Sequence, residues 1–190
     1  MGISKLSGSE PVSQANVTVQ DFWAWAYSDM LSNRNRSVFA EYLVAVALDL
    51  VHQPRVEWDA IDLRYGNKKI EVKSSAYIQS WQQRKPSLIK FDIGKKRGWD
   101  SAENVMAEDE IRSADCYIFC VYEEKDIQNV NVLNLDKWSF LVVATEKLNE
   151  VFGNQKSVSL SRLQQFGQAV KYDGLKCSID LVLDMTNSAV

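Results

Sequence analysis

The chain contains few of the residues on which several large enzyme classes depend. Its 190 residues include one histidine, His52, and three cysteines, Cys116, Cys120 and Cys177. A single histidine excludes zincin sites and multi-histidine metal sites, and its position at the end of a predicted helix argues against a Ser-His-Asp hydrolase. Three cysteines at these spacings form neither a zinc ribbon nor a disulfide framework, which indicates a reducing compartment. The phosphate-binding sequence G-x-x-x-x-G-K-[ST] does not occur, so the chain supplies no ATPase of its own.

Long hydrophobic runs are also missing. The longest apolar stretch, residues 38–51, is interrupted by Glu41 and Asp49 and is too short to cross a bilayer. Residues 1–20 lack the charged start and apolar centre of a secretory signal. We therefore expect a soluble, cytoplasmic protein with no membrane partner.

The composition predicts one domain behind a short tail. Hydrophobic residues make up 46% of the chain, which is enough for a sizeable single core. Residues 1–17 are rich in Ser, Gly, Gln and Asn, so we expect a flexible N-terminal tail, followed by one domain over residues 18–190. The predicted order of elements is α-α-β-β-β-(α)-β-β-α-α, an α/β fold with a mixed β-sheet flanked by helices.

Local patterns predict the individual elements. The predicted helices are 18–30 with a Thr18 cap, 38–51 after a loop at 33–37, part of 100–111, 145–153 and 159–167. The predicted strands, besides the hairpin below, are 88–93, 116–122, 138–144 and an edge strand at 178–183. We expect the aromatic residues of the first helix, Phe22, Trp23, Trp25 and Tyr27, to pack in the core, with base stacking as the alternative.

The most informative segment is a predicted β-hairpin around Gly66-Asn67. Residues 56–65 and 68–75 have strand character on either side of it. Glycine in a two-residue turn accepts the positive φ that such hairpins require. The turn places Tyr65 opposite Lys68 and so fixes the register of the two strands.

In this register two carboxylates and an ammonium group lie together. Glu71 faces Asp62 across the hairpin, and Lys73 lies on the same face. The alternate positions form an apolar face, made of Ile61, Leu63, Ile70 and Val72. Two neighbouring acids repel each other unless a positive charge lies between them, and a hard divalent cation commonly fills that place.

Two alternatives to this arrangement stay open at the level of sequence. A three-residue turn would move Asp59 to the Glu71 face and remove Asp62 from it, although the apolar pairing favours Asp62. A plain surface hairpin, in which Glu71 and Lys73 form cross-strand ion pairs, would need no metal.

Glu41 is the next candidate. Twelve of the fourteen residues in 38–51 are apolar, which predicts a buried helix. An unpaired buried carboxylate is costly, so Glu41 needs a partner such as a metal-bound water or a basic side chain. The alternative is an exposed Glu41 paired with Arg34 or Arg36.

Positive charge is concentrated next to the hairpin. Residues 68–97 contain nine basic and two acidic residues, a net charge of +7 in a chain whose total is −3. The basic residues beyond the hairpin are Arg84, Lys85, Lys90, Lys95, Lys96 and Arg97. A positive segment beside a carboxylate cluster suits a polyanion such as DNA, although a solvated lysine-rich strand edge has the same composition. Trp81 and Trp99 fit either a nucleic-acid contact or the core.

The combination Asp62…Glu71-Val72-Lys73, with the helical Glu41 before it, resembles the PD-(D/E)XK superfamily of nucleases. The similarity covers about residues 35–150 and implies a restriction-endonuclease-like fold. It also implies that Asp62, Glu71 and the backbone carbonyl of Val72 bind Mg²⁺, for which Mn²⁺ can substitute. Glu41 would complete the site directly or through a water.

The same resemblance assigns roles to two more side chains. Lys73 would orient or deprotonate the attacking water, and Gln79 is similar to a glutamine that some branches carry after the catalytic lysine. No proline precedes Asp62, which departs from the family pattern.

The resulting prediction is a Mg²⁺-dependent DNA endonuclease acting in restriction, repair or mobile-element defence. A homodimer is compatible with this activity, because cutting both strands needs two sites. The alternatives are a catalytically silent nuclease-fold module that binds DNA or a protein partner, and a structural protein with a charged hairpin.

Overall fold

A four-stranded mixed sheet lies at the centre of the protein. The computed structural model describes residues 4–57, 59–100 and 105–184. The helices are α1 (Val19–Tyr27), α2 (Asn33–Ala47), α3 (Thr145–Phe152), α4 (Leu160–Leu163) and α5 (Tyr172–Val182). The strands are β1 (Leu63–Tyr65), β2 (Lys68–Ala76), β3 (Lys90–Asp92), β4 (Lys96–Asp100), β5 (Val105–Ile111), β6 (Cys116–Tyr122), β7 (Trp138–Ala144) and β8 (Ser157–Ser159).

The central sheet has the strand order β1-β2-β6-β7. β2 is antiparallel to β1 and parallel to β6, and β6 is antiparallel to β7. Two antiparallel pairs, β3 with β8 and β4 with β5, lie outside this sheet. The predicted α/β class with a mixed sheet is therefore confirmed.

Alternate residues of β6 fill two separate cores. Ile118 points into a core formed with α2 and α5, whereas Phe119 points into a core formed with β3, α3 and α4. All seven residues of β6 are buried, because helices and loops cover both faces of the sheet. Cys116 and Cys120 are free thiols in this strand, and burial raises the pKa of Cys116 to about 12.

Several predicted elements are confirmed. The strands at 116–122 and 138–144 have the predicted bounds. Thr18 caps α1 in a capping box with Asp21. α3 ends at Gly153, where φ is +49° and a residue without a side chain is favoured.

The predictions for the first two helices need correction. Residues 33–37 are not a loop, because Ser32 caps α2 through its contact with the Asn35 amide and the helix starts at Asn33. The helix then ends at Ala47 rather than at residue 51. The aromatic residues of α1 are not in the core: Trp25 is 85% exposed and Phe22 is 50% exposed. Their positions do not share one helical face, so the core cannot take them together.

Later predictions also differ. Residues 105–111, expected to be partly helical, form a strand because they pair with β4; residues 101–104 lie outside the described residues. The expected edge strand at 178–183 belongs to helix α5, whose buried Leu175 and Ile179 have the four-residue spacing of a helix face. The helix predicted at 159–167 is the single turn α4, and the strand predicted at 88–93 is β3.

The N-terminal segment contains turns and one bridge. Pro11 and Thr18 form an antiparallel bridge, and the Val12 amide donates to the Val17 carbonyl over 3.0 Å. The flexibility expected of residues 1–17 stays a prediction. Among the described residues, none of the helices has the length and apolar character needed to cross a membrane.

Truncating the centre of the sheet tests this packing. Ile118→Ala should lower the free energy of unfolding by about 2–5 kcal/mol, because Ile118 is fully buried and its removal leaves a cavity. The matched control is Ile127→Ala, whose side chain is 62% exposed, and it should change stability by less than about 0.5 kcal/mol. Urea unfolding measures the free energy of unfolding of both variants. An equal loss of stability in the two would contradict the described core.

Candidate functional site

The hairpin of β1 and β2 has the predicted register. Tyr65 pairs with Lys68 and Leu63 with Ile70, across a turn in which Gly66 has a φ of +59°. The first strand is much shorter than predicted, because only Leu63–Tyr65 is extended and paired. The residues described between 56 and 62 have no regular secondary structure.

Asp62 explains why β1 stops. Its backbone N–H donates over 3.2 Å to the carbonyl of Ile70, the residue that pairs with Leu63, so the regular ladder is broken at this position. Its carboxylate Oδ2 then accepts from the Val72 N–H over 2.7 Å. The side chain thus takes the place of a backbone carbonyl, and among the described residues no strand is hydrogen-bonded to this edge of β2 beyond Val72.

The Val72 carbonyl lies at this open edge. The N–H and C=O of a strand residue point to the same side of the strand. Since the Val72 N–H points to Asp62, its carbonyl points away from β6, toward the same edge. The Val72 carbonyl and the Asp62 carboxylate therefore face the same edge of β2.

Glu71 and Lys73 project from β2 on the side of the β3–α3 core. Their partners on β6 are Tyr117 and Phe119, which belong to that core. Lys73 Nζ donates to a carboxylate oxygen of Glu71. Burial and then the nearby Asp62 raise the pKa of Glu71, and the Lys73 ammonium opposes this effect. A half-buried ion pair therefore lies close to a second carboxylate.

A cleft of about 220 Å³ brings these groups together. Its lining includes Asp62, Glu71, Lys73 and Tyr117, together with Lys96 and Arg97 of β4. One prediction about the hairpin faces is wrong. Ile61 packs in the β3–α3 core and not beside Leu63, Ile70 and Val72, because the chain leaves the strand path before Asp62.

Glu41 reaches the same edge from α2. It is 6% exposed, so the alternative of an exposed Glu41 is wrong, and its partner is Arg55 rather than Arg34 or Arg36. Arg55 Nε donates to both carboxylate oxygens over 2.8 and 2.9 Å. A second cleft, of about 320 Å³, is lined by Glu41, Arg55, Asp62 and Lys73. Burial raises the pKa of Glu41 to about 7; Asp62 adds to the effect, and Arg55 opposes it.

The choice between Asp59 and Asp62 favours Asp62. Asp59 lines the first cleft, but one of its oxygens accepts from the Ala60 N–H over 2.7 Å and the other lies 3.5 Å from Arg64 Nη2. Asp62 is the carboxylate whose charge raises the pKa of both Glu41 and Glu71.

Tyr117 and Arg55 belong to the site although the sequence did not single them out. Burial and the charge of Glu71 raise the pKa of Tyr117 well above its usual value, so its phenol is neutral and can donate a hydrogen bond in the cleft. Tyr117 lies in an apolar run that indicated only a core strand. Arg55 comes from an irregular loop that carries no sequence signal.

Gln79 is not brought to the clefts. It is buried after the end of β2, where its side-chain oxygen accepts from Arg36 Nη1 over 3.3 Å and its nitrogen donates to the Ala76 carbonyl over 2.9 Å. The geometry gives it an anchoring role rather than a place beside Glu71.

The six predicted DNA-binding residues divide into groups. Lys90 lines the second cleft, and Lys96 and Arg97 line the first. Arg84 and Lys85 line a separate groove beside Trp81, while Lys95 is half-buried and lines neither cleft. Trp81 is 56% exposed and is not a core residue, and the Trp99 side chain lies outside the described ones.

The chemistry of the donor set decides whether a cation fits. Within the described ranges, no three His, Cys, Asp or Glu side chains group closely enough to hold a metal ion by themselves. Two carboxylates, Asp62 and Glu71, meet beside one backbone carbonyl, and Glu41 is tied to Arg55. These are hard oxygen donors of the kind that Mg²⁺ takes, with waters filling the remaining positions.

The titration of Glu41 provides a test in metal-free protein. A carboxyl whose folded pKa lies near 7, above its ordinary 4.5, favours folding when protonated. Stability should therefore decrease from pH 4.5 to 7, by up to about 1.4 kcal/mol per pH unit from this group.

Urea unfolding in EDTA across this range measures the effect. Glu41→Gln should flatten the decrease, whereas Glu150→Gln, at an exposed residue of α3, should leave it unchanged. A wild-type profile parallel to that of Glu41→Gln would contradict the raised pKa.

Known proteins provide no assignment for this arrangement. Comparison of the chain with protein-family models, with curated proteins and with solved structures finds no match in any of the three.

Proposed function

We propose that the protein is a Mg²⁺-dependent DNA endonuclease of the PD-(D/E)XK type, with a restriction-endonuclease-like fold. The observation that carries this proposal is the meeting of Asp62, Glu71 and Lys73 at an uncovered strand edge. A hairpin acid, a strand acid and a lysine two residues later are the elements of that family's site. Restriction, repair and mobile-element defence are the processes in which such an enzyme would act.

The metal-holding residues in this proposal are Asp62, Glu71 and the Val72 carbonyl, with Glu41 at the second cleft. A bound Mg²⁺ would polarise a phosphate oxygen and lower the pKa of a coordinated water. Burial is the main cause of the raised pKa of Glu41 and of Glu71, and the charge of Asp62 adds to it in both cases. A divalent cation would relieve the repulsion from Asp62, which supports the choice of cofactor.

The chain's own side chains would supply the remaining chemistry. Lys73 lines both clefts, so its ammonium can hold the attacking water or neutralise charge on the phosphate. The neutral phenol of Tyr117 can donate to a phosphate oxygen. Lys96 and Arg97 on β4 can contact the neighbouring phosphates of the DNA backbone.

One observation favours the runner-up, a catalytically silent nuclease-fold module that binds DNA or a protein partner. Each of the three acids already has a protein partner: Arg55 for Glu41, the Val72 N–H for Asp62 and Lys73 for Glu71. An internally satisfied site can persist without a metal. Metal binding and cleavage therefore have to be measured separately.

Metal binding should depend on the acids and not on the lysine. Asp62→Asn and Glu71→Gln should each weaken Mn²⁺ binding by at least about tenfold, because each removes a charged ligand. Lys73→Met should bind Mn²⁺ at least as tightly as wild type, since the ammonium competes with the ion for Glu71. Titration followed by the Mn²⁺ electron paramagnetic resonance signal gives the affinities. Unchanged binding in both acid variants would point to the silent module.

Cleavage of supercoiled plasmid and of branched DNA tests the activity. Wild type should cut with Mg²⁺ or Mn²⁺ and not in EDTA, while Asp62→Ala and Lys73→Ala should lower the rate by at least about a hundredfold. Asp59→Asn is the discriminating control and should keep cleavage, because Asp59 pairs with Arg64. Absence of cutting by wild type on every substrate with either metal would overturn the enzyme proposal.

A further inference from the structure

The loop between β2 and β3 carries an exposed tryptophan and is held in shape by hydrogen bonds within the loop. We call residues 78–86 the Trp81 loop. The Ser87 N–H donates to the Tyr77 carbonyl over 2.8 Å and closes its base. Gln83 bridges the interior: its side chain accepts from the Gln79 N–H over 2.7 Å and donates to Ser87 Oγ over 2.9 Å. The loop is thus ordered by its own contacts, while the Trp81 side chain is 56% exposed.

Buried contacts anchor this loop to the two elements that carry the candidate site. Gln79 donates to the Ala76 carbonyl at the end of β2 and accepts from Arg36 of α2. Arg36 is 2% exposed and also donates to the Leu31 carbonyl over 2.7 Å. The position of Trp81 is therefore coupled to β2 and α2.

The groove beside Trp81 carries a small net positive charge. It has a volume of about 630 Å³, and its charged lining residues are Arg84, Lys85, Lys125, Asp29 and Asp126. Both acids are engaged by local donors: Asp29 accepts from the Ser32 N–H over 3.2 Å and Asp126 from the Gln128 N–H over 3.0 Å. In the part of the chain that the structure describes, no carboxylate forms an ion pair with the three basic side chains.

An exposed indole flanked by cations fits an unpaired nucleic-acid strand. A base can stack on an aromatic ring only when its face is free, and neighbouring cations then contact the phosphates. The strand β2 runs about 16 Å from Glu71 to Ala76, so the groove lies a few nucleotides away from the candidate site.

We propose that the Trp81 loop binds an unpaired stretch of DNA, with Trp81 stacking on a base and Arg84 and Lys85 contacting phosphates. The choice of DNA rests on the proposed nuclease function, but the binding itself requires neither metal nor cleavage.

Fluorescence anisotropy in EDTA and low salt tests this binding. The probes are a labelled oligothymidylate of about 20 nucleotides, longer than one stacking module covers, and a labelled duplex of the same length. Wild type should bind the single strand more tightly than the duplex. Trp81→Ala should weaken single-strand binding by about tenfold or more, and Trp81→Phe should restore most of it.

Two further variants separate stacking from charge. The matched control Trp25→Ala removes a tryptophan that is 85% exposed on α1 and should leave binding unchanged. The double variant Arg84→Ala with Lys85→Ala should make binding less dependent on salt concentration.

Three results would overturn the proposal: no binding of the single strand by wild type, equal binding by Trp81→Ala, or duplex binding at least as tight as single-strand binding. The last would indicate a double-helix contact. Metal-dependent plasmid cutting is measured independently. If wild type cuts plasmid but Trp81→Ala binds the single strand as tightly as wild type, only the binding role of the Trp81 loop is refuted. If Trp81→Ala weakens binding but wild type does not cut, only the nuclease proposal is refuted.

Discussion

The contact between the Asp62 carboxylate and the Val72 N–H is the constraint on which the candidate site depends. A backbone carbonyl in that place would extend β1 and cover the edge of β2. The carboxylate satisfies the same N–H but carries no strand beyond it. One side chain thereby ends the hairpin, opens the edge and places negative charge there.

The open edge lets side chains from both faces of the sheet meet. Glu71 and Lys73 come from the face that packs on β3 and α3, whereas Glu41 comes from α2 on the other face. Burial alone would make three such acids unfavourable. Burial is the main cause of the raised pKa of Glu41; the charge of Asp62 adds to it, and Arg55 opposes it. A buried carboxyl with a raised pKa lowers the stability of the fold at pH values where it is ionised.

Sequence reasoning succeeded where a local rule decides the structure. The Gly66-Asn67 turn fixed the register, and apolar runs identified β6 and β7 because both strands are buried on both faces. Sequence reasoning failed where contacts between residues far apart in the chain determine the structure. The length of β1 depends on the Asp62 side chain, and the helical form of α5 depends on packing against β7. The partner of Glu41 comes from the irregular loop around Arg55, in which no periodicity or motif is present.

β2 and α2 each contribute residues both to the acidic edge and to the anchoring of the Trp81 loop. Glu71 and Lys73 lie in the middle of β2. The strand ends at Ala76, whose carbonyl accepts a hydrogen bond from the Gln79 side chain. α2 carries Arg36 and Glu41 about 7.5 Å apart along its axis. The two elements pack tightly, since Ala40 and Val44 of α2 share a core with Ile70 of β2.

The acidic edge and the Trp81 loop are both attached to this packed pair of elements, so the distance between them is set by backbone geometry. Exposed side chains contribute little to it. Arg36 and Glu41 are both buried on α2, at 2% and 6% exposure, and each is held by hydrogen bonds to another part of the chain. The buried polar contacts of this fold thus maintain the spacing between two surfaces, which the apolar core alone would not specify.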